Sequence, residues 1–252
     1  MRVTILGCGT SGGVPRIGND WGACDPAEPR NRRRRASILV EQDDTRVLVD
    51  TSPDLRQQCL DAGIARLDAV LYTHDHADHT HGIDDLRFIA YNMRTRIDLY
   101  GDRRTCAVLK RRFDYAFETP PGSGYPPIVA AHEIDGPFTI GAVPVTPFVQ
   151  DHGEIDSLGF RFGPIAYSTD LVGLADAAFA VLAGVEVWIV DALRYRPHPT
   201  HANLDQALAW IARVRPRRAV LTHMNVELDY RTLKEALPAG VEPAYDGMVI
   251  EA

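Results

Sequence analysis

The segment YTHDHADHTHG, residues 72–82, concentrates four of the nine histidines of this 252-residue chain together with two aspartates. Imidazole and carboxylate groups are donors that zinc, manganese and iron prefer. Structural zinc sites usually have four ligands rich in cysteine, whereas this segment has no cysteine and more than four donors. Its donors are His74, Asp75, His76, Asp78, His79 and His81. The pattern favours a catalytic site with room for two metal ions over a histidine-rich surface turn.

A second motif lies near the N-terminus, where Gly7, Gly9 and Gly12 match the G-x-G-x-x-G spacing of dinucleotide-binding loops. That fingerprint requires a helix at the last glycine, because the helix N-terminus holds the pyrophosphate. Pro15 and Gly18 follow here, and both disfavour a helix. We therefore expect a flexible loop in place of a nicotinamide site.

The third motif is the tract Arg30–Arg35, RNRRRR, with five arginines in six residues. A solvated loop would explain it. A phosphate-binding site would also explain it, because guanidinium groups bind phosphate bidentately and lysine does not. The tract lies just before a predicted strand, so a position near the mouth of an active site stays open.

Alternating strands and helices must position these motifs. Strands are predicted at Val3–Leu6, Ala36–Glu41, Arg46–Asp50, Leu67–Thr73, Ile97–Tyr100, Val143–Val149, Leu158–Phe162, Ile165–Ser168, Val185–Asp191 and Ala219–Thr222. Helices are predicted at Ile83–Asn92, Arg103–Phe117, Leu204–Arg215 and Tyr230–Leu237. A further helix is predicted between an N-cap at Ser52-Pro53-Asp54 and a C-cap at Gly63. The histidine-rich segment thus leaves the C-terminal end of a buried strand.

Composition bounds the class of protein. Apolar residues make up 45% and charged residues 24%, which is typical of a globular protein, and we predict one domain over residues 1–252. The net charge of −7 argues against a general binder of nucleic acids or anionic membranes. The sequence has no run of about 18 apolar residues, so it predicts no membrane span. The N-terminus reads as a strand and not as a signal peptide, so we expect a cytoplasmic location.

The motif H-x-H-x-D-H after a hydrophobic strand resembles the signature of the metallo-β-lactamase superfamily. It is formed here by His74, His76, Asp78 and His79. The resemblance covers essentially the whole chain. It implies an α/β fold, the four-layer αββα sandwich, with the active site at one edge of the two sheets.

The resemblance also implies the rest of the site. Asp50 is similar to an early aspartate that orients a ligand, and Asp170 to an aspartate that bridges two metals. His152 and His223 are similar to the later histidine ligands. Two divalent metal ions, Zn²⁺ or Mn²⁺, are thereby implied, with Asp170 and a hydroxide between them. One ion would take His74, His76 and His152, and the other Asp78, His79 and His223.

Within the superfamily, three features are similar to the cyclic-phosphate phosphodiesterase group, whose best-known member opens phosphoribosyl 1,2-cyclic phosphate in phosphonate catabolism. They are the opening GCGTSGGVP, the arginine tract and the closing Asp246-Gly247-Met248. Pyrroloquinoline-quinone biosynthesis B proteins and tRNA 3′-processing endonucleases are similar relatives. The group uses a histidine before a helix in its chemistry, and His201 fits this position better than His198.

One departure from the group concerns a structural zinc that some members hold with clustered cysteines and a later histidine. Only Cys24 remains in that segment here, and Val226 stands at the later position. We therefore expect no structural zinc.

These patterns predict a dinuclear metal-dependent phosphodiesterase that acts on a small cyclic or nucleotide-like phosphodiester through a metal-bridging hydroxide. The predicted catalytic residues are His201, as general acid, and Asp78. Hydrolysis of a thioester or lactone and RNA 3′ processing are the alternatives, and a non-catalytic metal-binding scaffold is a third. The expected partner is a small phosphate-containing substrate. Neither a stable nucleic-acid complex nor a membrane is expected, and a homodimer stays open.

Overall fold

A computed structural model describes all 252 residues, from Met1 to Ala252. The strands are β1 (Arg2–Gly7), β2 (Ser37–Gln42), β3 (Thr45–Val49), β4 (Ala69–Leu71), β5 (Ile97–Gly101), β6 (Val129–Glu133), β7 (Phe138–Ile140), β8 (Val143–Asp151), β9 (Asp156–Phe162), β10 (Ile165–Ser168), β11 (Val187–Asp191), β12 (Arg218–Thr222), β13 (Val241–Pro243) and β14 (Val249–Glu251). The helices are α1 (Leu55–Ala62), α2 (Ala77–Thr80), α3 (Leu86–Met93), α4 (Arg103–Arg112), α5 (Asp114–Phe117), α6 (Asp176–Leu182), α7 (Leu204–Val214) and α8 (Tyr230–Ala236). Short 3-10 turns lie at Pro29–Asn31 and Ile83–Asp85. No helix combines the length and the apolar character that a membrane span needs.

The strands form two seven-stranded sheets. Their orders are β14-β1-β2-β3-β4-β5-β6 and β13-β12-β11-β10-β9-β8-β7. Both sheets are mixed, with parallel runs from β3 to β6 and from β10 to β13. Because parallel neighbours end at the same edge, the segments that follow β3, β4, β10, β11 and β12 are brought to one side of the molecule.

The sheets pack against each other, and helices cover their outer faces. Alternation along β2 shows this, because Ile38 and Val40 belong to the main core cluster and Leu39 belongs to a second cluster under α1, α3 and α4. On the other side, Leu204 and Ile211 of α7 join the main cluster. The predicted αββα sandwich of the α/β class is therefore confirmed.

The N-terminal glycine motif forms a loop, as predicted. No α-helix follows β1 until α1, so no helix N-terminus is available for a pyrophosphate. Gly9 lies in single bridges to Arg35 and to Met224. A Cβ atom on Gly9 would lie 2.9 Å from the backbone oxygen atoms of Arg33 and Arg34, so only glycine fits this close approach. The loop is thereby packed between the arginine tract and the segment that follows β12.

The predicted helix Arg103–Phe117 is wrong as one element. It is divided into α4 and α5 at Phe113, whose φ of −132° is not helical. Contacts with the histidine-rich segment fix the end of α4, since Arg112 donates to the backbone oxygen of Asp75 and the Phe113 ring packs edge-on against His81.

The predicted helix start at Ser52 is also wrong, whereas the predicted C-cap at Gly63 is confirmed. The helix begins at Leu55 after Asp54, because the buried Ser52 hydroxyl instead accepts from the Asp54 amide and donates to Gln58. Gly63 ends α1 with a left-handed φ of 65°. Asn203 caps α7, as its side-chain oxygen accepts from the Gln206 amide at 2.9 Å.

Other predicted boundaries moved by one to a few residues. The helix predicted at Ile83–Asn92 begins as a 3-10 turn before α3, and the strand predicted at Leu67–Thr73 is paired only over β4. Helix α6 was not predicted.

Candidate metal centre

Strand ends deliver the candidate donors to one edge of the sandwich. Asp50 follows β3, the histidine-rich segment follows β4, and Asp170 lies shortly after β10. Asp191 is the last residue of β11, and His223 follows β12. In the register of these two parallel strands, Asp191 is paired with Thr222, directly before His223.

Three of these strand-end residues have left-handed backbones, which is unusual for residues other than glycine. The φ angles are 63° at Asp50, 54° at Asp170 and 57° at His223. Such conformations cost roughly 1–3 kcal/mol each and persist where the surrounding structure imposes them. Here they turn three side chains into one buried space, since all three residues are at most 2% exposed.

The predicted ligands are brought together in two sets that share Asp170. The first set is His74, His76, His152 and Asp170, and the second is Asp78, His79, His223 and Asp170. Within each set, one donor atom per residue lies within 4.8 Å of all the others.

Asp170 presents a different oxygen to each set. Its Oδ2 lies 3.8 Å from His74 Nε2 and 3.7 Å from His152 Nε2. Its Oδ1 lies 3.1 Å from His79 Nε2 and 3.3 Å from His223 Nε2. Tetrahedral ligands at about 2.0–2.1 Å from a zinc ion are separated by about 3.4 Å, so these spacings fit donors that share a cation.

Buried histidine nitrogen atoms provide the test of whether a metal fits. The Nε2 atoms of His74, His79 and His223 are buried and have no hydrogen-bond partner. A buried polar atom without a partner costs about 1–3 kcal/mol, and here three such atoms converge on one carboxylate. Nitrogen and oxygen donors without a sulfur atom suit a divalent cation such as Zn²⁺ or Mn²⁺. The residues present therefore fit a divalent-metal site.

Hydrogen bonds on the far side of the rings favour the tautomer that a ligand needs. His79 Nδ1 lies 2.7 Å from Asp50 Oδ2, and His152 Nδ1 lies 2.7 Å from the Thr200 carbonyl oxygen. Since both partners can only accept, the proton of a neutral ring resides on Nδ1 and the lone pair on Nε2 faces Asp170. Asp50 is itself held by the backbone amide and the hydroxyl of Thr73, each at 2.9 Å.

The charges in this cluster compensate one another strongly. Burial opposes ionisation of Asp170, but His223, His79 and His201 outweigh it and hold the pKa of the carboxyl group well below its usual range. Burial lowers the pKa of His74 well below its ordinary value. For His79, three nearby carboxylates outweigh burial and raise the pKa well above it. The same three carboxylates would stabilise a cation bound in this space.

His201 lies beside the donor sets and is supported by a carboxylate that sequence reasoning missed. Its Nδ1 lies 3.0 Å from Asp191 Oδ2, and its Nε2 lies 3.8 Å from Asp170 Oδ2. Burial alone would lower its pKa, but Asp170 and then Asp191 outweigh it and raise the pKa to about 9. The available signal was an aspartate at the end of the fully buried strand β11, as at Asp50 and Asp170.

The other histidines lie outside both sets. The exposed His81 packs against Phe113, and His132 pairs with Asp98 at 2.8 Å on the first sheet. The His198 ring is 5.1 Å from that of His201, centroid to centroid, and His198 Nδ1 accepts from the Thr200 amide. At the other end of the cluster, Asp75 is buried and paired with Arg104 at 3.1 Å, so it faces away from the donors.

The Cys24 side chain has apolar neighbours. Cys24 packs with Val14 and Val226 in a small cluster of its own, and the partly buried Trp21 covers it.

Comparison with known proteins identifies the family of this arrangement. A family model described as a β-lactamase superfamily domain matches residues 45–224, which include the histidine-rich segment and His223. The chain belongs to the β-lactamase superfamily. A crystal structure of a new diphosphatase from the PhnP family superposes with a TM-score of 0.92 at 38% identity, covering 99% of this chain and 97% of that one.

Two curated relatives are longer than this chain. An octanoyltransferase from Porphyromonas gingivalis is 35% identical over 253 residues, which are 98% of this chain and 51% of the relative. A ribonuclease Z from Bradyrhizobium sp. is 32% identical over 142 residues, which are 53% of this chain and 46% of the relative. The matched regions thus span about half the length of these relatives.

Proposed function

We propose that this chain is a metal-dependent phosphodiesterase that cleaves a small phosphodiester. The observation that carries the proposal is the pair His201 and Asp191, held against the shared carboxylate Asp170. Cleavage of a phosphodiester releases an alkoxide, which needs a proton, and a supported histidine can donate one. The resemblance to the PhnP-family diphosphatase supports chemistry at a phosphoryl group.

The residues of the chain divide the work. We assign the two sets of donors around Asp170 to two divalent ions, with His74, His76 and His152 on one side and Asp78, His79 and His223 on the other. Bound there, such ions supply Lewis acidity toward a phosphoryl group and lower the pKa of water. Asp50 and the Thr200 carbonyl orient the histidine rings, and Asp78, with 15% of its side chain exposed, forms the solvent side of its set.

His201 supplies the proton to the leaving group. Asp191 accepts from Nδ1, so that the proton on Nε2 is directed toward Asp170 and the donor sets. The Asp191 carboxylate favours the protonated form of the ring and so raises the pKa of His201. Protonation at this atom is therefore the step in which the chain itself contributes acid catalysis.

Thioester hydrolysis is the second candidate, because the octanoyltransferase relative covers nearly all of this chain. A thiolate leaving group has a pKa of about 8.5 and needs little protonation, so His201 would contribute little to that reaction. The dependence of the rate on His201 therefore separates the two chemistries.

The experiment compares substrates and variants in protein loaded with Zn²⁺ or Mn²⁺. A cyclic nucleotide, a methyl p-nitrophenyl phosphodiester, an alkyl diphosphate, an acyl thioester and a pre-tRNA are offered to the wild type and to His201→Gln. The control is His132→Gln, which removes a histidine of the same kind whose Asp98 partner lies outside the site. We expect His201→Gln to reduce turnover of the cyclic nucleotide, which has a poor leaving group, and His132→Gln to leave it unchanged. Turnover of the thioester alone would overturn the proposal.

A further inference from the structure

One donor of the second set lacks the hydrogen bond that fixes comparable rings. His79 and His152 are each held through Nδ1 by an oxygen acceptor at 2.7 Å. The Nδ1 atom of His223 is buried without a hydrogen-bond partner, and it lies 3.9 Å from Asp191 Oδ1, which is too far for a direct bond. The position of the His223 ring therefore depends on how its backbone is held.

The backbone at His223 is supported by the N-terminal loop, residues 8–13. His223 has a left-handed φ of 57°, a conformation that persists where the surrounding structure imposes it. The next residue, Met224, is bonded to the loop at both of its backbone groups. Its amide donates to the Cys8 oxygen at 2.9 Å, and its oxygen accepts from the Thr10 amide at 3.3 Å. The loop thus holds the turn that carries His223.

A single carboxylate ties this loop down. Asp246 accepts from the Cys8 amide at 3.1 Å through Oδ1 and from the Arg34 amide at 2.8 Å through Oδ2. The Arg34 oxygen in turn accepts from the Gly9 amide at 2.7 Å. Asp246, Cys8, Gly9 and Arg34 therefore form a closed ring of hydrogen bonds, although Cys8 and Asp246 are 238 residues apart in the chain.

Asp246 is itself anchored on the first sheet. The Gly247 amide donates to the Ile5 oxygen at 2.7 Å, and the Ile5 amide donates to the Met248 oxygen at 2.9 Å. Gly247 has a φ of +87°, which glycine adopts at little cost, so the turn can present the Asp246 side chain to the loop.

The carboxylate is in the form that can accept both bonds. Burial raises the pKa of Asp246 to about 6, against the hydrogen bonds from Arg34 and Cys8 that lower it, so the group is ionised at neutral pH. The groups that face it are the Cys8 thiol, 3.5 Å from Oδ1, and Arg34, whose guanidinium pairs with Asp61. Two acceptor oxygen atoms therefore meet two backbone donors.

We propose that the Asp246 carboxylate positions His223 through the N-terminal loop and thereby sets the affinity of the second donor set for its cation. The inference rests on the proposed function, since the cation is the one assigned to that set. The path runs from Asp246 to the Cys8 amide, from the Cys8 oxygen to the Met224 amide, and through one peptide bond to His223. Asp246 belongs to neither donor set, so it is a positioning residue.

The first set provides an internal reference. His74 and His76 follow β4, and His152 follows β8. The backbones of these residues have no hydrogen bond to residues 8–13. Loss of the loop contact should therefore weaken one set and spare the other, whereas a general loss of stability would weaken both.

The test measures Zn²⁺ affinity, by competition with a chromophoric chelator, in protein that keeps one set at a time. His76→Ala disables the first set and leaves the second, and Asp78→Ala does the opposite. Asp246→Asn is added to each, because an amide has one acceptor oxygen and its NH₂ group would face a backbone donor. Asp246→Ser, a smaller replacement that adds no NH₂ group, is measured in parallel, and urea denaturation shows which variants are folded.

The matched control is Asp229→Asn. The Asp229 carboxylate also accepts from two backbone amides, those of Asp25 and Thr232, and it joins segments 204 residues apart. It makes no bond to residues 8–13, so its loss should not reach His223.

Asp246→Asn is expected to weaken Zn²⁺ binding about 10–100-fold in the His76→Ala protein and to leave it unchanged in the Asp78→Ala protein. Asp229→Asn should change neither affinity. Equal losses in the two proteins, or no loss in the His76→Ala protein, would overturn the inference.

Hydrogen exchange in the metal-free protein separates this inference from the proposed function. Asp246→Asn should speed exchange of the Met224 and Thr10 amides, and Asp229→Asn should not. Faster exchange at these amides, in a protein whose wild type binds no metal ion, would refute the proposed function and keep Asp246 as the positioning residue of His223. Two bound ions and phosphodiester turnover, with exchange rates and second-set affinity that Asp246→Asn does not change, would do the reverse.

Discussion

Replacing Asp191 by asparagine should move the pH range in which the proposed phosphodiesterase works. Asp191 Oδ2 lies 3.0 Å from His201 Nδ1, and both groups are largely removed from water, with side-chain exposures of 0% and 12%. Together with Asp170, it outweighs burial and raises the pKa of His201 from 6.5 to about 9. This interval corresponds to about 3 kcal/mol of preference for the protonated ring.

The sign follows from the role of the proton. A general acid works only when it is protonated, so turnover should fall as the pH rises through the pKa of His201. Asp191→Asn removes one of the two carboxylates that raise this pKa, and the fall should therefore begin at lower pH. A cation on Asp170 weakens the other contribution, so the wild-type fall should lie below about pH 9.

The assay measures kcat against pH with two phosphodiesters. The methyl ester releases methoxide, which needs a proton, whereas the p-nitrophenyl ester releases p-nitrophenolate, which needs little protonation. The shift should appear with the methyl ester and be small with the p-nitrophenyl ester. Asp98→Asn serves as the control, because it disrupts an exposed Asp–His pair of similar length, 2.8 Å from His132. Metal content is measured in each variant. If the fall of kcat at high pH stayed at the same pH in Asp191→Asn, with the metals retained, the acid role of the pair would be refuted.

Three further predictions follow from the same geometry. His201→Ala should lower turnover about 10²–10⁴-fold on a poor leaving group and much less on p-nitrophenolate, with metal content unchanged; equal losses on both would favour a positioning role. Asp170→Ala should reduce binding of both metals, because each set of donors uses one oxygen atom of this carboxylate. Elemental analysis of the purified variant checks this, and retention of both ions would contradict a shared carboxylate. Arg33→Ala should lower the free energy of unfolding, measured by urea denaturation, by about 2–4 kcal/mol, because it removes hydrogen bonds to two buried carbonyl groups. A loss below about 0.5 kcal/mol would show that these bonds contribute little.

The sequence predicted the fold class, and it also predicted a set of residues that the structure brings together, because the signals of both are local. A buried strand followed by H-x-H-x-D-H places donors at a sheet edge, and Asp170 and His223 repeat the same logic after their own strands. The structure brings these residues together, while their role as ligands stays a prediction.

What the sequence could not show depends on tertiary contacts. The end of a buried strand marks Asp191 as a candidate, but its contact with His201 is formed between the end of β11 and the loop before α7 and is not visible in the sequence. Likewise, the six-residue arginine tract looks uniform, yet the burial of Arg33 depends on the backbone oxygen atoms of Asn225 and Leu228, far along the chain. The break at Phe113 has the same origin, because contacts with the histidine-rich segment override a continuous helical pattern.

The central claim is that two sets of donors share Asp170 around two divalent ions. Elemental analysis of protein purified without chelator and reconstituted with Zn²⁺ or Mn²⁺ tests it most directly. About two equivalents per chain are expected, because the seven donors exceed what one tetrahedral ion can use. A single equivalent that no excess of metal can raise would contradict the account.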